Sequence, residues 1–159
     1  MARPIPEYSK NQVARAGTIL TLGPGDLEQW LWAFDVLSNW RACHGYPINT
    51  FQSTLRDKLK KIDRDALVAQ RLKRMPSIIN KLRRYPAMDL SRMQDIGGLR
   101  AVVASIEELK ALYRNYKDSR FTHTLVSEFN YVDSPKTSGY RGIHMVYRYK
   151  LKELPHMTV

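Results

Sequence analysis

The chain has 159 residues, with 26 Lys and Arg against 15 Asp and Glu and a formal net charge of +11. Its 43% apolar and 26% charged residues are typical of a globular protein and exclude a disordered basic tail. A folded surface with this excess of cations predicts a polyanionic partner: a nucleotide, a nucleic acid or an anionic membrane. The length predicts one domain.

Cysteine content and hydropathy exclude further classes of protein. Cys43 is the single cysteine, which excludes an intrachain disulfide and a cysteine-based metal cluster and is typical of the reducing cytoplasm. We therefore expect a cytoplasmic protein. The first ten residues contain no apolar signal, and no apolar run approaches the roughly 18 residues of a membrane span. His123 and His156 have no acidic or thiol partner at metal-ligand spacing, so zinc is not expected.

The first half of the chain is predicted to be helical, and the second half to be mixed. The helical predictions are a helix starting at Asp26, a second that follows the capping pair Asn49 and Gln52 to about Asp63, a third over 65–72, and a fourth from Pro76 to Pro86. The later elements are a buried central strand over 99–104, a helix capped by Ser105 and Glu108, a strand over 121–132, a loop over 133–139 and a strand over 140–149.

The densest basic cluster surrounds the start of the helix at Pro76. On that helix Ser77, Lys81 and Arg84 share one face, and three cations precede it: Arg71, Lys73 and Arg74. Free backbone N–H groups and the helix dipole add to this charge, so the pattern predicts a cradle for a polyphosphate. A solvated basic helix face explains the same residues equally well.

Asp95 lies just before the predicted buried strand, with Ile96 between it and the pair Gly97 and Gly98. A carboxylate beside two glycines, which let a ligand approach the backbone, fits a Mg²⁺ ion that bridges phosphates. Arg100, at the head of an apolar strand, needs an anionic partner. The alternative is that Asp95 and Arg100 pair with each other, or that Asp95 caps a turn.

Strand periodicity over 140–149 places Tyr140, Gly142 and His144 on one face. The missing side chain at Gly142 would leave a gap over which Tyr140 could stack a planar base, with His144 about 13 Å along the strand. Lys136 and Arg141 flank this face and suit phosphates. The alternative is that Tyr140 and His144 are ordinary half-buried strand residues.

Three motifs in this order resemble the RelA/SpoT alarmone synthetase domain. They are Arg71-x-Lys73-x-x-x-Ser77-Ile78-x-x-Lys81, Asp95-Ile-Gly-Gly-x-Arg100, and Pro135-Lys136-x-x-Gly139-Tyr140-Arg-Gly-Ile-His144. The resemblance covers residues 70–149, and the preceding helices are similar to those of small stand-alone members. It implies an α+β fold with a nucleotidyltransferase-like mixed β-sheet, in which 1–69 is a helical region, 70–150 the synthetase core and 151–159 a tail.

The resemblance also implies an activity, which is transfer of pyrophosphate from ATP to the 3′-hydroxyl of GDP or GTP with Mg²⁺. The residue roles that it implies are ATP binding by Arg71, Lys73, Arg74, Ser77 and Lys81, metal binding by Asp95, a supporting catalytic role for Arg100, and acceptor binding by Lys136, Tyr140 and His144, the last also catalytic.

One family motif is missing from the sequence. Family members follow the Tyr-x-x-x-His strand with a strand that carries Glu-x-Gln-x-Arg, whereas Glu153 is not in such a motif and Pro155 disfavours a central strand. We therefore expect the chain to stop before the catalytic sheet is complete. No His-Asp dipeptide occurs, so nothing resembles the family's hydrolase domain.

Two alternative functions stay open. Some small family members resemble toxins that pyrophosphorylate the 3′ end of tRNA, and a basic second helix would supply the tRNA contacts: Arg56, Lys58, Lys60 and Lys61. The missing acidic strand instead suggests a non-catalytic module that binds nucleotide or RNA. The resemblance also makes a homo-oligomer or an antitoxin partner possible.

Overall fold

The computed structural model describes residues 3–151 and 157–159. In chain order its elements are α1 (Lys10–Leu22), α2 (Leu27–Ala42), α3 (Gly45–Leu59), β1 (Leu67–Leu72), α4 (Met75–Arg84), a short 3-10 helix (Leu90–Arg92), β2 (Gly97–Val102), α5 (Ile106–Asp118), β3 (Thr124–Asn130) and β4 (Ile143–Arg148). The predicted α+β class and helical first half are confirmed. Within the described ranges the strands form two antiparallel pairs, β1–β2 and β3–β4, where we expected one mixed sheet.

Three of the predicted helices are confirmed with their start signals. Asp26 caps α2 by accepting a hydrogen bond from the Gln29 backbone N–H, and Ser105 and Glu108 form a reciprocal capping box at α5. Pro76 lies in the first turn of α4, as its missing N–H allows. Asx and Ser side chains at these positions satisfy backbone donors that the helix leaves free, which is why the sequence marks them clearly.

Helix α1 was not predicted, although it carries a capping box of its own, formed by Ser9 and Gln12. Its buried stripe is interrupted by Gly17, and this masks the helical pattern. The glycine is required by packing, because an ideal Cβ at this position would lie 2.8 Å from the Leu90 Cβ. The close approach brings α1 against the 3-10 helix and the end of α4.

Two predictions about α3 are wrong. The helix begins at Gly45, with His44 at the N-cap and no capping side chain, so Asn49 and Gln52 lie inside the helix and do not cap it. It also ends at Leu59, before the expected Asp63. The earlier start follows from burial: His44 is 1% exposed, and its ring Nδ1 lies 2.8 Å from the Trp40 carbonyl oxygen at the end of α2.

The expected helix over 65–72 is instead strand β1. It pairs antiparallel with β2, so that Val68 lies opposite Ala101 and Arg71 opposite Gly98. Short apolar runs fit either period, and here the strand buries one face against α3, around Leu55 and Leu59. The opposite face stays open, so β2 is half-exposed and not the buried central strand we expected.

The second strand pair is shorter than predicted. Strand β4 begins at Ile143, so Tyr140 and Gly142 lie in the preceding loop and not on the strand. Its far edge pairs with the end of the chain: the backbone N–H groups of Tyr147 and Tyr149 donate to the carbonyl oxygens of Val159 and Met157, both at 2.9 Å. Residues 157–159, which lie in the segment predicted as a tail, therefore pair with the edge of β4.

One hydrophobic core joins α1, α2 and α4 to the second strand pair. Its fully buried members are Val13, Ala16, Ala33, Val36, Leu37, Cys43, Ile78, Ile96 and Met157. Glu153, Pro155 and His156, on which the sequence analysis drew, lie outside the described residues. None of the described helices is long and apolar enough to cross a membrane.

Candidate functional site

Asp95 lies between two lysines that come from different elements. Its Oδ2 is 2.6 Å from Nζ of Lys73, which follows β1, and its Oδ1 is 2.7 Å from Nζ of Lys81 on α4. Both carboxylate oxygens are therefore occupied by ammonium groups. The pairing of Asp95 with Arg100, left open by the sequence, is not what the structure shows.

Lys73 is held at this place by its backbone as well. Its N–H donates to the Ile96 carbonyl oxygen at 2.7 Å, and its own carbonyl oxygen accepts a 2.7 Å hydrogen bond from Nε of Arg41 on α2. The Lys73 side chain is only 12% exposed, while that of Asp95 is 48% exposed. In the group formed by Lys73, Asp95 and Lys81, Lys73 is therefore fixed and largely shielded from solvent, whereas the Asp95 carboxylate is open to solvent.

The two lysines set the charge state of Asp95. Partial burial alone would raise the pKa of its carboxyl, but the hydrogen bonds and charges of Lys73 and Lys81 outweigh burial and lower the pKa. Asp95 is therefore ionised at neutral pH. The site carries one carboxylate and two ammonium groups, and the net positive charge suits a phosphate chain.

The start of α4 adds donors to the same region. Arg74 is the N-cap residue and has no side-chain capping bond, and Pro76 follows in the first turn. Ser77 is half-buried on the helix face that also carries Lys81, whereas Ile78, Ile79 and Leu82 are buried on the other face. The helix face predicted from spacing is confirmed, and free N–H groups at this terminus are typical of anion sites.

Arg71 and Arg100 lie on the open face of the β1–β2 pair. Arg71 faces Gly98 across the ladder and Arg100 faces Ala69, so the two guanidinium-bearing residues are diagonal neighbours. Both are exposed, and an ideal Cβ at Gly98 would meet no other described residue within 4 Å. The glycine thus leaves an uncovered patch of backbone between two cations.

The predicted acceptor residues form a second cluster beside β4. The Tyr140 hydroxyl lies 2.8 Å from Nε2 of His144, and Nζ of Lys136 lies 5.8 Å from the Tyr140 ring centroid. The expected gap over Gly142 is not present, because an ideal Cβ there would lie 3.0 Å from the Tyr140 hydroxyl oxygen. Glycine at this position allows the Tyr140 side chain to fold back onto His144.

The imidazole of His144 is affected by burial and by two nearby cations. Partial burial, then the charges of Lys136 and Arg100, lower the pKa of His144. The imidazole is therefore neutral at pH 7.

Sequence reasoning missed two aromatic residues of this cluster, Phe129 and Tyr131. Their rings are parallel within 3° at a centroid distance of 6.0 Å, and Nζ of Lys136 lies 4.4 Å from the Tyr131 ring centroid. The available signal was their spacing on the predicted strand over 121–132, which places them on one face. Phe129 opposes His144 in the β3–β4 register, so this is also the His144 face.

Some candidate residues are used elsewhere. Lys58, expected on a basic outer face of α3, donates to Oδ1 of Asn115 at 2.6 Å and to Oγ of Ser119 at 3.1 Å, and so links α3 to α5. Cys43 and His44 are buried and structural. Across the described part of the chain no three His, Cys, Asp or Glu side chains are placed to hold a metal by themselves.

Comparison with known proteins decides the family. The family pattern described as a region found in RelA / SpoT proteins matches residues 70–157, which is more than half of the chain and includes both clusters. The chain belongs to the RelA/SpoT family. It is 33% identical over 87 residues to the GTP pyrophosphokinase YjbM of Bacillus subtilis, a match that covers 54% of this chain and 41% of that protein.

Solved structures agree with this assignment to the RelA/SpoT family. The small alarmone synthetase 1 from Bacillus subtilis bound to its product pppGpp is 27% identical, with a TM-score of 0.56 over 70% of this chain and 65% of the other. The small alarmone synthetase 2 from Bacillus subtilis, 18% identical with a TM-score of 0.64 over 77% of this chain and 68% of the other, shows the shared fold. The chain spans less than half of the curated relative.

Proposed function

We propose that this RelA/SpoT chain transfers pyrophosphate from ATP to the 3′-hydroxyl of GDP or GTP. The observation that carries the proposal is the placement of Lys73 and Lys81 on either side of Asp95 beside the start of α4. Two convergent ammonium groups and free helix N–H groups are what a triphosphate requires. The relative that holds pppGpp supports a guanosine polyphosphate as product.

In this proposal the first cluster binds ATP. Lys73 and Lys81 exchange the Asp95 carboxylate for phosphate oxygens, and the Ser77 hydroxyl and the N–H groups of the first turn donate to the same chain. The remaining cations on this side are Arg71 and Arg74, both exposed. Charge neutralisation and positioning supply most of the acceleration in phosphoryl transfer, so these residues need no covalent role.

Asp95 fits a magnesium ion that arrives with the nucleotide. Mg²⁺ is usually bound by one or two carboxylates and by substrate phosphates, and it keeps several waters. The half-exposed carboxylate of Asp95 supplies one such ligand, and the lysines that now hold it are the groups that phosphates would attract. When bound, the metal would neutralise the part of the phosphate charge that Lys73 and Lys81 do not.

The second cluster is proposed to bind the acceptor. Tyr140 offers an aromatic face to the guanine, while its hydroxyl is oriented by Nε2 of His144, and Lys136 attracts the acceptor phosphates.

The acceptor 3′-oxygen attacks the β-phosphorus of ATP, the bond from that phosphorus to the α-phosphate oxygen breaks, and AMP leaves. The 3′-hydroxyl proton is released. Arg100, exposed on the open face of the β1–β2 pair, is proposed to support the charge that develops on the transferred phosphates.

AMP release measured together with the modified acceptor tests this function. The purified chain is incubated with ATP and Mg²⁺ and with GDP, GTP or deacylated tRNA in separate reactions, and Asp95→Asn is the matched variant. We expect AMP and a 3′-pyrophosphorylated guanosine nucleotide with GDP or GTP, and neither with Asp95→Asn. Exchange of Asp89, which caps the 3-10 helix outside the site, for Asn should leave the reaction in place.

The two alternative functions are separate outcomes of the same assay. Release of AMP with tRNA alone would support the tRNA reaction. Nucleotide binding without AMP release in any reaction, with the circular dichroism of a folded chain, would support a binding module. Either result would contradict the proposed function.

A further inference from the structure

Tyr131 contacts each of the three side chains that the proposed function assigns to the acceptor. Its ring centroid lies 4.4 Å from Nζ of Lys136, 6.0 Å from the Tyr140 ring and 5.4 Å from the His144 ring, the last two in edge-to-face geometry. It is half-buried, whereas the three residues around it are exposed. Tyr131 is thus the central and most enclosed member of the cluster.

The backbone fixes Tyr131 where the loop leaves and re-enters the sheet. Its N–H donates to the Gly142 carbonyl oxygen at 2.8 Å, one residue beyond the last residue of β3 and one before the first of β4. The loop between these two points contains Lys136 and Tyr140. The Tyr131 ring, anchored at the base of the loop, can therefore contact both Lys136 and Tyr140.

The ammonium group of Lys136 lies against aromatic rings, and the Tyr131 ring is the nearer of the two. Within residues 3–151 and 157–159 no carboxylate forms an ion pair with Lys136. Its ammonium group instead makes cation–π contacts with the rings of Tyr131 and Tyr140. An exposed ammonium group without a carboxylate partner would otherwise sample many rotamers. A cation–π contact restricts it while leaving its N–H donors available to a phosphate.

We propose that Tyr131 is a positioning residue for acceptor binding, whose ring holds Lys136 and the Tyr140–His144 pair in one arrangement. This inference rests on the proposed function for the identity of the acceptor, but the arrangement itself exists without a ligand. The Phe129 ring on β3 lies parallel to the Tyr131 ring at a centroid distance of 6.0 Å and packs against it. No bond of Tyr131 to ATP or to the acceptor is required.

The test compares Tyr131→Leu, which removes the ring, with Tyr131→Phe, which keeps it. GDP and ATP are titrated separately into the purified full chain by calorimetry. We expect Tyr131→Leu to weaken GDP binding about 10-fold and to leave ATP binding within about 2-fold, since the lysines around Asp95 do not contact Tyr131. Tyr131→Phe should bind GDP within about 2-fold of the unaltered chain. Tyr85→Leu, a half-exposed tyrosine at the end of α4, is the matched control.

A second readout needs no nucleotide. Nuclear magnetic resonance of the His144 ring reports its pKa, which Lys136 and Arg100 lower after the effect of partial burial. The other titratable groups beside this ring are Tyr131 and Tyr140. Removal of the Tyr131 ring exposes the His144 ring that it packs against and frees Lys136 to move away, so both effects should raise the pKa of His144 in Tyr131→Leu, and the pKa should stay unchanged in Tyr131→Phe.

The outcomes separate the inference from the function on which it rests. If the unaltered chain does not bind GDP, the proposed acceptor is wrong, and the His144 titration alone decides the role of Tyr131. Tyr131→Leu with unchanged His144 pKa and unchanged GDP affinity would overturn the inference. Loss of GDP binding in Tyr131→Phe as severe as in Tyr131→Leu would also overturn it, because the hydroxyl and not the ring would then matter.

Discussion

Lys73 and Asp95 are 22 residues apart in the sequence and form a 2.6 Å ion pair between Nζ and Oδ2. Lys81 completes the arrangement from α4 at 2.7 Å. In the free protein the carboxylate therefore competes with any incoming anion for both lysines. This competition has a consequence for nucleotide binding that can be measured directly.

Asp95→Asn should bind metal-free ATP more tightly than the unaltered chain does. The substitution removes a negative charge from the phosphate site and releases both lysines, and one such charge at a few ångströms in a solvated site corresponds to an affinity gain of about 5-fold. The same variant should lose the increase in affinity that Mg²⁺ gives. Calorimetric titration with ATP in EDTA and in Mg²⁺ measures both effects, and weaker metal-free binding by Asp95→Asn would contradict the arrangement.

Gly17→Ala tests the packing of α1. Alanine within a helix is normally more stable than glycine, by up to about 1 kcal/mol. Here its Cβ would lie 2.8 Å from the Leu90 Cβ, so we expect the free energy of unfolding to fall by about 1–3 kcal/mol. Gly25→Ala, with no other described atom within 4 Å of the new Cβ, is the control for urea denaturation. Equal stability of the two variants would argue against this contact.

His44 predicts a pH dependence of stability. Burial lowers the pKa of His44 to about 4, despite the opposing hydrogen bond to the Trp40 carbonyl oxygen. An unfolded histidine titrates near 6.5, so the unfolded state binds more protons between about pH 6.5 and 4, and the free energy of unfolding decreases as the pH falls through this range. Between pH 7 and pH 5 we expect a loss on the order of 2 kcal/mol.

Denaturation at pH 7, 6 and 5 measures this loss. His44→Gln, which keeps a polar group near Trp40 and does not titrate, should flatten the dependence. His123 and His144 also have lowered pKa values through partial burial and neighbouring charges, so part of the slope should persist in the variant. A His44 ring that titrates near pH 6.5 by nuclear magnetic resonance would exclude the assigned cause.

Lys58 on α3 and Lys61 just beyond its end both belong to the basic segment considered for tRNA contact, but only Lys58 makes contacts within the fold. Lys58 donates to Asn115 and Ser119, and its Nζ lies 4.7 Å from the Tyr116 ring centroid, so Lys58→Ala should lower the free energy of unfolding by about 1 kcal/mol. Lys61 is exposed, and Lys61→Ala should change it by less than about 0.5 kcal/mol. Urea denaturation of both variants checks this, and the reverse order of effects would contradict the α3–α5 link.

The sequence predicts the family and the general fold of this protein better than the boundaries and types of its individual elements. Residue type and spacing single out Asp95, Lys73 and Lys81 as candidates, although a solvated basic helix face explained the two lysines equally well, and the structure brings all three together. The partners of Asp95 could not be derived, since the contact between residues 73 and 95 depends on how β1 pairs with β2. Because residues 65–72 were predicted to be a helix, the pairing of β1 with β2 was not predicted either.

For the acceptor cluster, strand spacing again predicts part of the arrangement, and the loop conformation, which the sequence does not reveal, decides the rest. Strand spacing correctly placed His144 on the exposed face, opposite the buried Tyr147. It misplaced Tyr140, because a loop residue does not follow strand periodicity, and the reason for Gly142 is the close approach of the Tyr140 hydroxyl. Tyr131 is recognisable only from its central position between side chains that the loop brings together.

The central claim is that Lys73 and Lys81 bind the phosphates of ATP, and the affinity of a double variant tests it most directly. Lys73→Gln with Lys81→Gln should weaken the binding of ATP with Mg²⁺ by at least about 30-fold, since each charged contact to phosphate is worth about 1–2 kcal/mol. The exposed pair Lys60→Gln with Lys61→Gln, which removes the same charge from the end of α3, should change it by less than about 3-fold. ATP binding that survives the first double variant, or falls equally in both, would contradict the account.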